Sequence, residues 1–315
     1  MTTTLPHHDD RLYLTDSGLE TTLIFHDGID LPEFAAFPLL ENDTGRRRLD
    51  AYFDAHLDVA RRYGTGFVLE TVTWRANPDW GTVLGYSAAA LAEANRRAVA
   101  HLHSVRDRHA DLSDRVVISG CVGPRGDGYV ADDAMTAHEA ADYHRAQIAA
   151  LTDGGAELVT ALTMTSSAEA AGVVMAAVDV GVPVVISFTL ETDGRLPSGD
   201  TLADAIDTVD AATASAAEYF MINCAHPTHF VDTVDSAEPA LTRVRGLRAN
   251  ASTMSHAELD VAEELDSGDP DDLGDRYAAV LDVLGELTVL GGCCGTDIRH
   301  IEAIGRQCAP LFARN

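Results

Sequence analysis

Eight short apolar runs rich in β-branched residues alternate along the chain with longer, alanine-rich amphipathic stretches. Short runs of this kind predict buried strands, and the stretches between them have the spacing of helices. The predicted strands cover residues 12–15, 66–70, 116–120, 157–162, 184–188, 219–223, 244–249 and 287–290. The predicted helices cover residues 49–63, 87–109, 137–153, 168–179, 201–212, 228–238 and 271–284.

This alternation predicts a parallel sheet, and eight repeated units predict that the sheet closes into a (β/α)8 TIM barrel. No linker interrupts the 315 residues, so we expect 1–315 to form a single domain. An open doubly wound sheet is the alternative, but no Gly-x-Gly-x-x-Gly fingerprint follows an early strand. The acidic segment 250–270 could form a lid over an active site, but a solvated insertion is the simpler interpretation.

The charge and the hydropathy of the chain exclude several classes of protein. A formal net charge of −28 with only 22 Lys and Arg residues opposes binding to the phosphates of nucleic acid. No apolar run is long enough to span a membrane, and the amino terminus lacks the basic and apolar regions of a secretory signal. We therefore expect a soluble, cytoplasmic protein without membrane or nucleic-acid partners.

Three of the five cysteines follow the sixth and eighth predicted strands. Cys224 ends the sixth apolar run, and Cys293 and Cys294 come directly after the eighth. In a parallel barrel all strands end at the same face, where active sites are built, so these thiols should converge despite their distance in sequence. Three thiolates suit zinc and leave one tetrahedral position open for a substrate, which is the arrangement of a catalytic metal site.

Other interpretations of the cysteines remain open at this point. They could be buried apolar residues, or Cys293 and Cys294 could form a vicinal disulfide. His226 and His229 lie near Cys224 and could supply a fourth ligand or support the site, although ordinary loop histidines are common.

The two cysteine motifs also resemble those of a known family. Gly-Gly-Cys-Cys-Gly-Thr at 291–296 and the pair Asn223-Cys224 look like the zinc-ligand motifs of the homocysteine S-methyltransferase family. Further stretches at 15–21, 71–77 and 119–124 look like family motifs in the same order, so the resemblance covers nearly the whole chain.

The resemblance implies a zinc enzyme in which Cys224, Cys293 and Cys294 hold Zn²⁺. Homocysteine would bind through its sulfur and take a methyl group from a sulfonium donor, S-methylmethionine or S-adenosylmethionine, giving methionine. It also implies a possible homo-oligomer.

The resemblance further implies a binding site for the amino-acid head group of homocysteine near the first strand. Asp16 would receive the ammonium, while Ser17 and Gly18 would offer backbone N–H groups to the carboxylate. Asn223 is a further candidate for substrate binding.

The chain departs from the family at a position that matters for the acceptor. Leu162 stands where the family has a glutamate, and a leucine cannot accept a hydrogen bond from an ammonium group. Glu20, Glu70 or Glu191 would have to replace it, or the acceptor is another small thiol or selenol. A non-catalytic zinc-binding barrel is the remaining alternative.

Aromatic residues and one loop are candidates for the donor site. Trp74 and Trp80 could face the sulfonium cation, with Phe188 and Tyr129 as weaker candidates. The loop after the fifth strand has turn residues suited to a cover over the site, and Thr189 and Glu191 could contact substrate there.

Overall fold

The eight strands of the chain form a closed parallel barrel in which each strand pairs with its neighbours in sequence, and the first pairs with the eighth. The structure is a computed structural model that describes residues 5–8, 11–131, 135–234, 237–262 and 264–313. The strands are β1 Tyr13–Leu14, β2 Gly66–Glu70, β3 Val116–Val122, β4 Leu158–Met164, β5 Val184–Thr189, β6 Tyr219–Asn223, β7 Val244–Ala249 and β8 Val289–Gly292.

Long helices surround this barrel, and shorter ones occupy the loops. The helices found in the described ranges are α1 Leu19–Thr21, α2 Asp43–Tyr63, α3 Pro78–Val83, α4 Ala88–Arg108, α5 Ala137–Asp153, α6 Ser167–Val180, α7 Leu202–Thr213, α8 Pro227–Phe230, α9 His256–Asp260, α10 Pro270–Val283 and α11 Ile298–Phe312. None of the helices described is long and apolar enough to cross a membrane.

Alternating side chains of the strands divide the apolar core into two layers. In β2, Phe67 and Leu69 belong to the cluster between the barrel and its helices, whereas Val68 belongs to a separate cluster. That second cluster also contains Val117 and Val185 from neighbouring strands, and it fills the barrel interior. This period of two is the one expected for strands that are buried on both faces.

Helix ends follow local signals that are visible in the sequence. Thr136 and Glu139 form a reciprocal capping box at the start of α5. The helix α6 ends at Gly181, whose φ of 83° is the left-handed conformation that glycine adopts without steric cost. These signals explain why the predicted bounds of both helices are close to the observed ones.

The prediction of a TIM barrel is confirmed, with errors among the helices, since the short helices α1, α3 and α9 were not predicted. The helix predicted at 228–238 is wrong, because α8 ends at Phe230 and a tight turn follows. The N–H groups of Thr233 and Val234 both bond to the carbonyl of Phe230, and β-branched residues favour helix less than straight-chain ones. The prediction also missed α11.

A buried arginine joins three strand ends at the carboxyl-terminal mouth of the barrel. Arg248 in β7 donates to Asp16 at 2.7 Å and to Glu70, and its Nε donates to the Gly292 carbonyl at 3.0 Å. All three charged residues are at most 5% exposed. Burial raises the pKa of Glu70 to about 7, although the charge of Arg248 opposes the rise.

Removing Arg248 should therefore destabilise the barrel strongly. Arg248→Ala leaves Asp16 and Glu70 buried together without a counter-charge, and breaking such a pair typically costs about 3–5 kcal/mol. Urea unfolding at pH 8 measures the free energy of unfolding. Arg276→Ala, which breaks an exposed ion pair with Asp272, is the matched control and should cost about 0–1 kcal/mol. Equal losses in the two variants would show that Arg248 does not hold the mouth together.

Candidate functional site

Cys224, Cys293 and Cys294 converge at the mouth of the barrel, as predicted. Their sulfur atoms all lie within 4.8 Å of one another, and those of Cys224 and Cys293 are in direct contact as a disulfide pair. Cys224 follows β6 with a φ of 53°, a conformation that is uncommon outside glycine and that is often found at functional sites. The backbone N–H groups of Cys224 and Cys293 bond to Arg248 and Ala249, which fixes both residues to β7.

Gly291 and Gly292 are required by close packing at the end of β8. A Cβ atom on Gly291 would collide with the hydroxyl of Thr15, and one on Gly292 would collide with the hydroxyl of Thr296. Neither glycine has a positive φ. Their role is to let other parts of the chain approach the cysteine motif.

Asn223 lies beside the sulfur atoms, and hydrogen bonds to both its Oδ1 and its Nδ2 hold its side chain in place. Its Nδ2 is 3.2 Å from Cys224 Sγ, 3.9 Å from Cys293 Sγ and 2.9 Å from the Thr163 hydroxyl. Its Oδ1 accepts from the Thr163 N–H at 2.9 Å and the Ser187 hydroxyl at 2.6 Å. The amide can therefore stabilise negative charge on sulfur.

Tyr129 and His256 connect Cys294 to two loops of the mouth. The Tyr129 hydroxyl is 3.2 Å from Cys294 Sγ, and its ring stacks on His256 with centroids 4.2 Å apart. His256 Nε2 lies 2.6 Å from the Cys224 carbonyl oxygen. The sequence analysis missed His256, because it lies in the acidic segment after β7 and no motif marks it.

The residues expected to bind the acceptor head group are mostly engaged with the protein itself. Asp16 and Glu70 share Arg248. The N–H of Ser17 bonds to His56 Nε2 at 3.3 Å, and the N–H of Gly18 bonds to the Thr296 hydroxyl at 3.0 Å. No signal in the sequence connected these residues to their partners.

Glu20 differs from the other acidic residues of the mouth. Within the described part of the chain, this half-buried residue forms no ion pair through its carboxylate. Burial raises its pKa to about 7, and the nearby charge of Asp16 adds to the rise. The carboxylate also raises the pKa of Cys294, after the larger effect of burial, so it lies near the cysteine cluster.

Leu162 lies at an irregularity of β4, where the pairing with β5 shifts between Ala161 and Met164. Its carbonyl oxygen accepts a 3.4 Å hydrogen bond from the indole of Trp74. The next residue, Thr163, has a φ of 63° and directs its N–H and its hydroxyl to Asn223. The departure from the family pattern therefore lies next to the cysteines.

Trp74 and Trp80 each have one ring face covered by the side chain of Arg75. The guanidinium of Arg75 lies over both rings, 4.3 Å from the centroid of Trp74 and 4.1 Å from that of Trp80. Arg75 donates to the Gly126 carbonyl at 2.9 Å, and its buried Nε has no hydrogen-bond partner. Phe188 is also absent from the mouth, since it is buried and stacks on Phe220.

A cavity of about 550 Å³ opens beside the cysteine cluster, between the loops that follow β3 and β5. Tyr129 lines it together with Glu191, Asp193 and Arg195. Glu191 also contacts His256 Nδ1 at 3.2 Å, so the cavity and the cysteines share supporting residues. Thr189 is fully buried in β5 and does not line this cavity.

His226 and His229 lie outside the cysteine cluster. His226 Nδ1 bonds to Thr228 at the start of α8, and His229 Nε2 lies 2.9 Å from the Thr253 carbonyl oxygen. Cys224, Cys293 and Cys294 form the one group of possible metal ligands that the described residues place at this mouth.

Comparisons with known proteins agree with this geometry. The metallated crystal form of the homocysteine methyltransferase MmuM from Escherichia coli superposes with a TM-score of 0.70 at 19% identity, covering 95% of this chain and 96% of that chain. Its oxidized form gives 0.72 at 21% identity, with coverage of 96% and 100%. At these identities the likeness establishes the fold.

A family model described as homocysteine S-methyltransferase matches residues 13–308, from β1 to the last helix. This range includes the three cysteines, Asn223 and every loop of the mouth described above. The chain therefore belongs to the homocysteine S-methyltransferase family of enzymes.

Proposed function

We propose that this protein is a zinc-dependent methyltransferase that moves a methyl group from a sulfonium donor to homocysteine and so forms methionine. The observation that carries the proposal is the convergence of Cys224, Cys293 and Cys294 within 4.8 Å at the carboxyl ends of β6 and β8. Once the Cys224–Cys293 pair is reduced, three thiolates at a mouth with an adjoining cavity fit a catalytic zinc ion better than a closed structural site.

The three cysteine sulfurs are ligands of the kind that zinc prefers. Zinc bound there would lower the pKa of a thiol substrate, so that a nucleophilic sulfur is available at neutral pH. The amide of Asn223 donates toward two of the sulfur atoms, and the hydroxyl of Tyr129 lies beside the third. These contacts hold the ligand sulfurs in place and reduce the cost of their negative charge.

For the acceptor, we propose that Glu20 does the work of the glutamate that Leu162 replaces. Asp16 and Glu70 are already paired with Arg248, and Glu191 contacts His256, whereas Glu20 keeps its carboxylate free for an ammonium group. A buried ion pair with a substrate ammonium would also relieve the cost of burying this charge.

For the donor, we propose the cavity lined by Tyr129, Glu191 and Asp193. Its two carboxylates attract a cation such as S-methylmethionine or S-adenosylmethionine. A sulfonium leaves as a neutral thioether and needs no general acid. The protein therefore has only to orient donor and acceptor in line and to exclude water.

Leu162 favours a second candidate function, methyl transfer to another small thiol or selenol. An acceptor without an ammonium group would need no carboxylate near β4.

Purified, zinc-loaded protein given homocysteine and each donor in turn distinguishes the two candidates, with methionine detected by mass spectrometry. No methionine with any donor would overturn the homocysteine assignment.

The metal site itself can be tested without any substrate. Reduced wild-type protein should bind about one zinc ion per chain, measured by inductively coupled plasma mass spectrometry, because three thiolates converge. Cys294→Ser should lose most of this zinc, while the barrel melts at nearly the same temperature in circular dichroism. Cys308→Ala, in α11 and away from the mouth, is the control and should keep its zinc. Full zinc content in Cys294→Ser would exclude this thiol as a ligand.

The raised pKa of Glu20 predicts a pH-dependent cost to stability. A carboxyl with a folded-state pKa of about 7 and an ordinary unfolded pKa disfavours folding fully above pH 7, and this cost disappears as pH falls below about 4.5. Glu20→Gln should therefore raise the free energy of unfolding by on the order of 2 kcal/mol at pH 8 and by much less at pH 5.

Urea unfolding at the two pH values measures this difference. Glu33→Gln, at an exposed position of the same loop, is the control and should show no such pH dependence. A pH-independent effect of Glu20→Gln would mean that Glu20 is solvated rather than buried at the mouth.

A further inference from the structure

Arg75 is a buried cation that forms no ion pair within the described residues, although the charge of Asp127, and less strongly that of Glu20, acts on it. Its side chain belongs to a residue that is only 8% exposed, and within the described residues its one hydrogen bond from the guanidinium goes to the Gly126 carbonyl. Its Nε is buried without any partner. A buried charge that lacks a counter-charge is costly, and it is commonly found where a ligand supplies the missing partner.

The two tryptophans hold this guanidinium in one orientation. Trp74 and Trp80 cover it at centroid distances of 4.3 Å and 4.1 Å, and the bond to Gly126 fixes one edge. A planar guanidinium held in this way presents its remaining N–H groups in a fixed fork, which matches the two oxygens of a carboxylate. Flexible surface arginines do not have this preorganisation.

Glu20 provides the complementary charge nearby. The charges of Glu20 and Arg75 act on each other, yet no ion pair within 4.0 Å joins the two side chains among the described residues. Glu20 also acts on Cys294. Hydrogen bonds of neighbouring residues place both groups beside the cysteine motif: the Gly295 N–H donates to the Thr21 hydroxyl at 3.0 Å, and Arg75 donates to Gly126 in the loop whose Tyr129 lies 3.2 Å from Cys294 Sγ. A carboxylate and a guanidinium placed there without an ion pair between them leave room for a zwitterion.

The usual alternative for binding a carboxylate is occupied in this chain. The N–H groups of Ser17 and Gly18 bond to His56 and Thr296. A substrate carboxylate bound there would have to displace two buried internal hydrogen bonds.

We propose that Arg75 binds the α-carboxylate of the thiol acceptor while Glu20 binds its α-ammonium, so that the pair selects thiols that carry a complete amino-acid head group. This inference rests on the proposed function and adds which charged groups of the acceptor the enzyme recognises. It also assigns Trp74 and Trp80 to positioning Arg75, in place of binding the donor cation.

The proposal can be tested by removing one charge at a time from the acceptor. Homocysteine carries both groups, 4-mercaptobutyrate lacks the ammonium, and 3-aminopropanethiol lacks the carboxylate. With wild-type enzyme, kcat/KM should fall by about 10²-fold for each truncated thiol, as is typical when one partner of a buried charge pair is lost.

The variants should remove this discrimination selectively. In Arg75→Gln, homocysteine and 3-aminopropanethiol should have kcat/KM values within a few-fold of each other, whereas the penalty for 4-mercaptobutyrate remains. Glu20→Gln should show the opposite pattern. Arg195→Gln, at the cavity proposed for the donor, is the matched control and should keep the wild-type preference among the three thiols.

A binding measurement separates this proposal from the proposed function. Calorimetric titration of zinc-loaded protein with each thiol, without any donor, should give the same pattern in Kd as the kinetics. If wild-type protein makes no methionine but still binds homocysteine through Arg75, only the methyl-transfer assignment fails. If wild-type protein methylates homocysteine and Arg75→Gln weakens all three thiols equally, Arg75 only supports the loop and the inference is overturned.

Discussion

Arg248 forms ion pairs with two buried carboxylates and donates to the backbone carbonyl one residue before Cys293. It thereby joins the ends of β1, β2, β7 and β8, which are the strands around the first and last motifs of the chain. Burying a guanidinium costs several kcal/mol, so the arrangement persists only because each of its N–H groups named here has an acceptor in place. The positions of the cysteines depend on this network, since Cys224 and Cys293 both bond to the backbone of β7.

The fold and the convergence of the three cysteines could be predicted from the sequence because both depend on regular patterns. Eight apolar runs with intervening amphipathic stretches define a closed parallel sheet, and closure brings all strand ends to one face. The residues that follow β6 and β8 must then be neighbours, which is why Cys224 could be placed beside Cys293 without any coordinates. The pattern failed at 228–238, where β-branched residues and a tight turn overrode the amphipathic spacing.

The substrate-binding residues could not be predicted in the same way, because the availability of a charge depends on its partners in space. Asp16, Glu20 and Glu70 are equivalent in sequence terms, as acidic residues near strand ends. In the structure Arg248 engages two of them and leaves Glu20. Arg248 itself lies in the predicted strand 244–249 with no motif around it, and both of its partners are far from it in the sequence, so the sequence does not reveal the network.

The ion pairs at the mouth also determine the net charge of each of its parts. Asp16, Glu70 and Arg248 together carry one net negative charge when all are ionised, and Glu20 and Arg75 together are neutral. A zwitterionic head group placed between the latter two leaves the net charge unchanged while satisfying both. Glu191 and Asp193 give the adjoining cavity two negative charges, and Arg195 gives it one positive charge, so its net charge is negative.

Under the proposed function, a cationic donor would be attracted to a different part of the mouth from the one proposed to hold a neutral zwitterion. Because the two substrates differ in net charge, the barrel can discriminate between them before either contacts the cysteines. On this argument, the exchange of a family glutamate for Leu162 removes a negative charge beside the acceptor, and Glu20 restores it from the opposite side of the barrel.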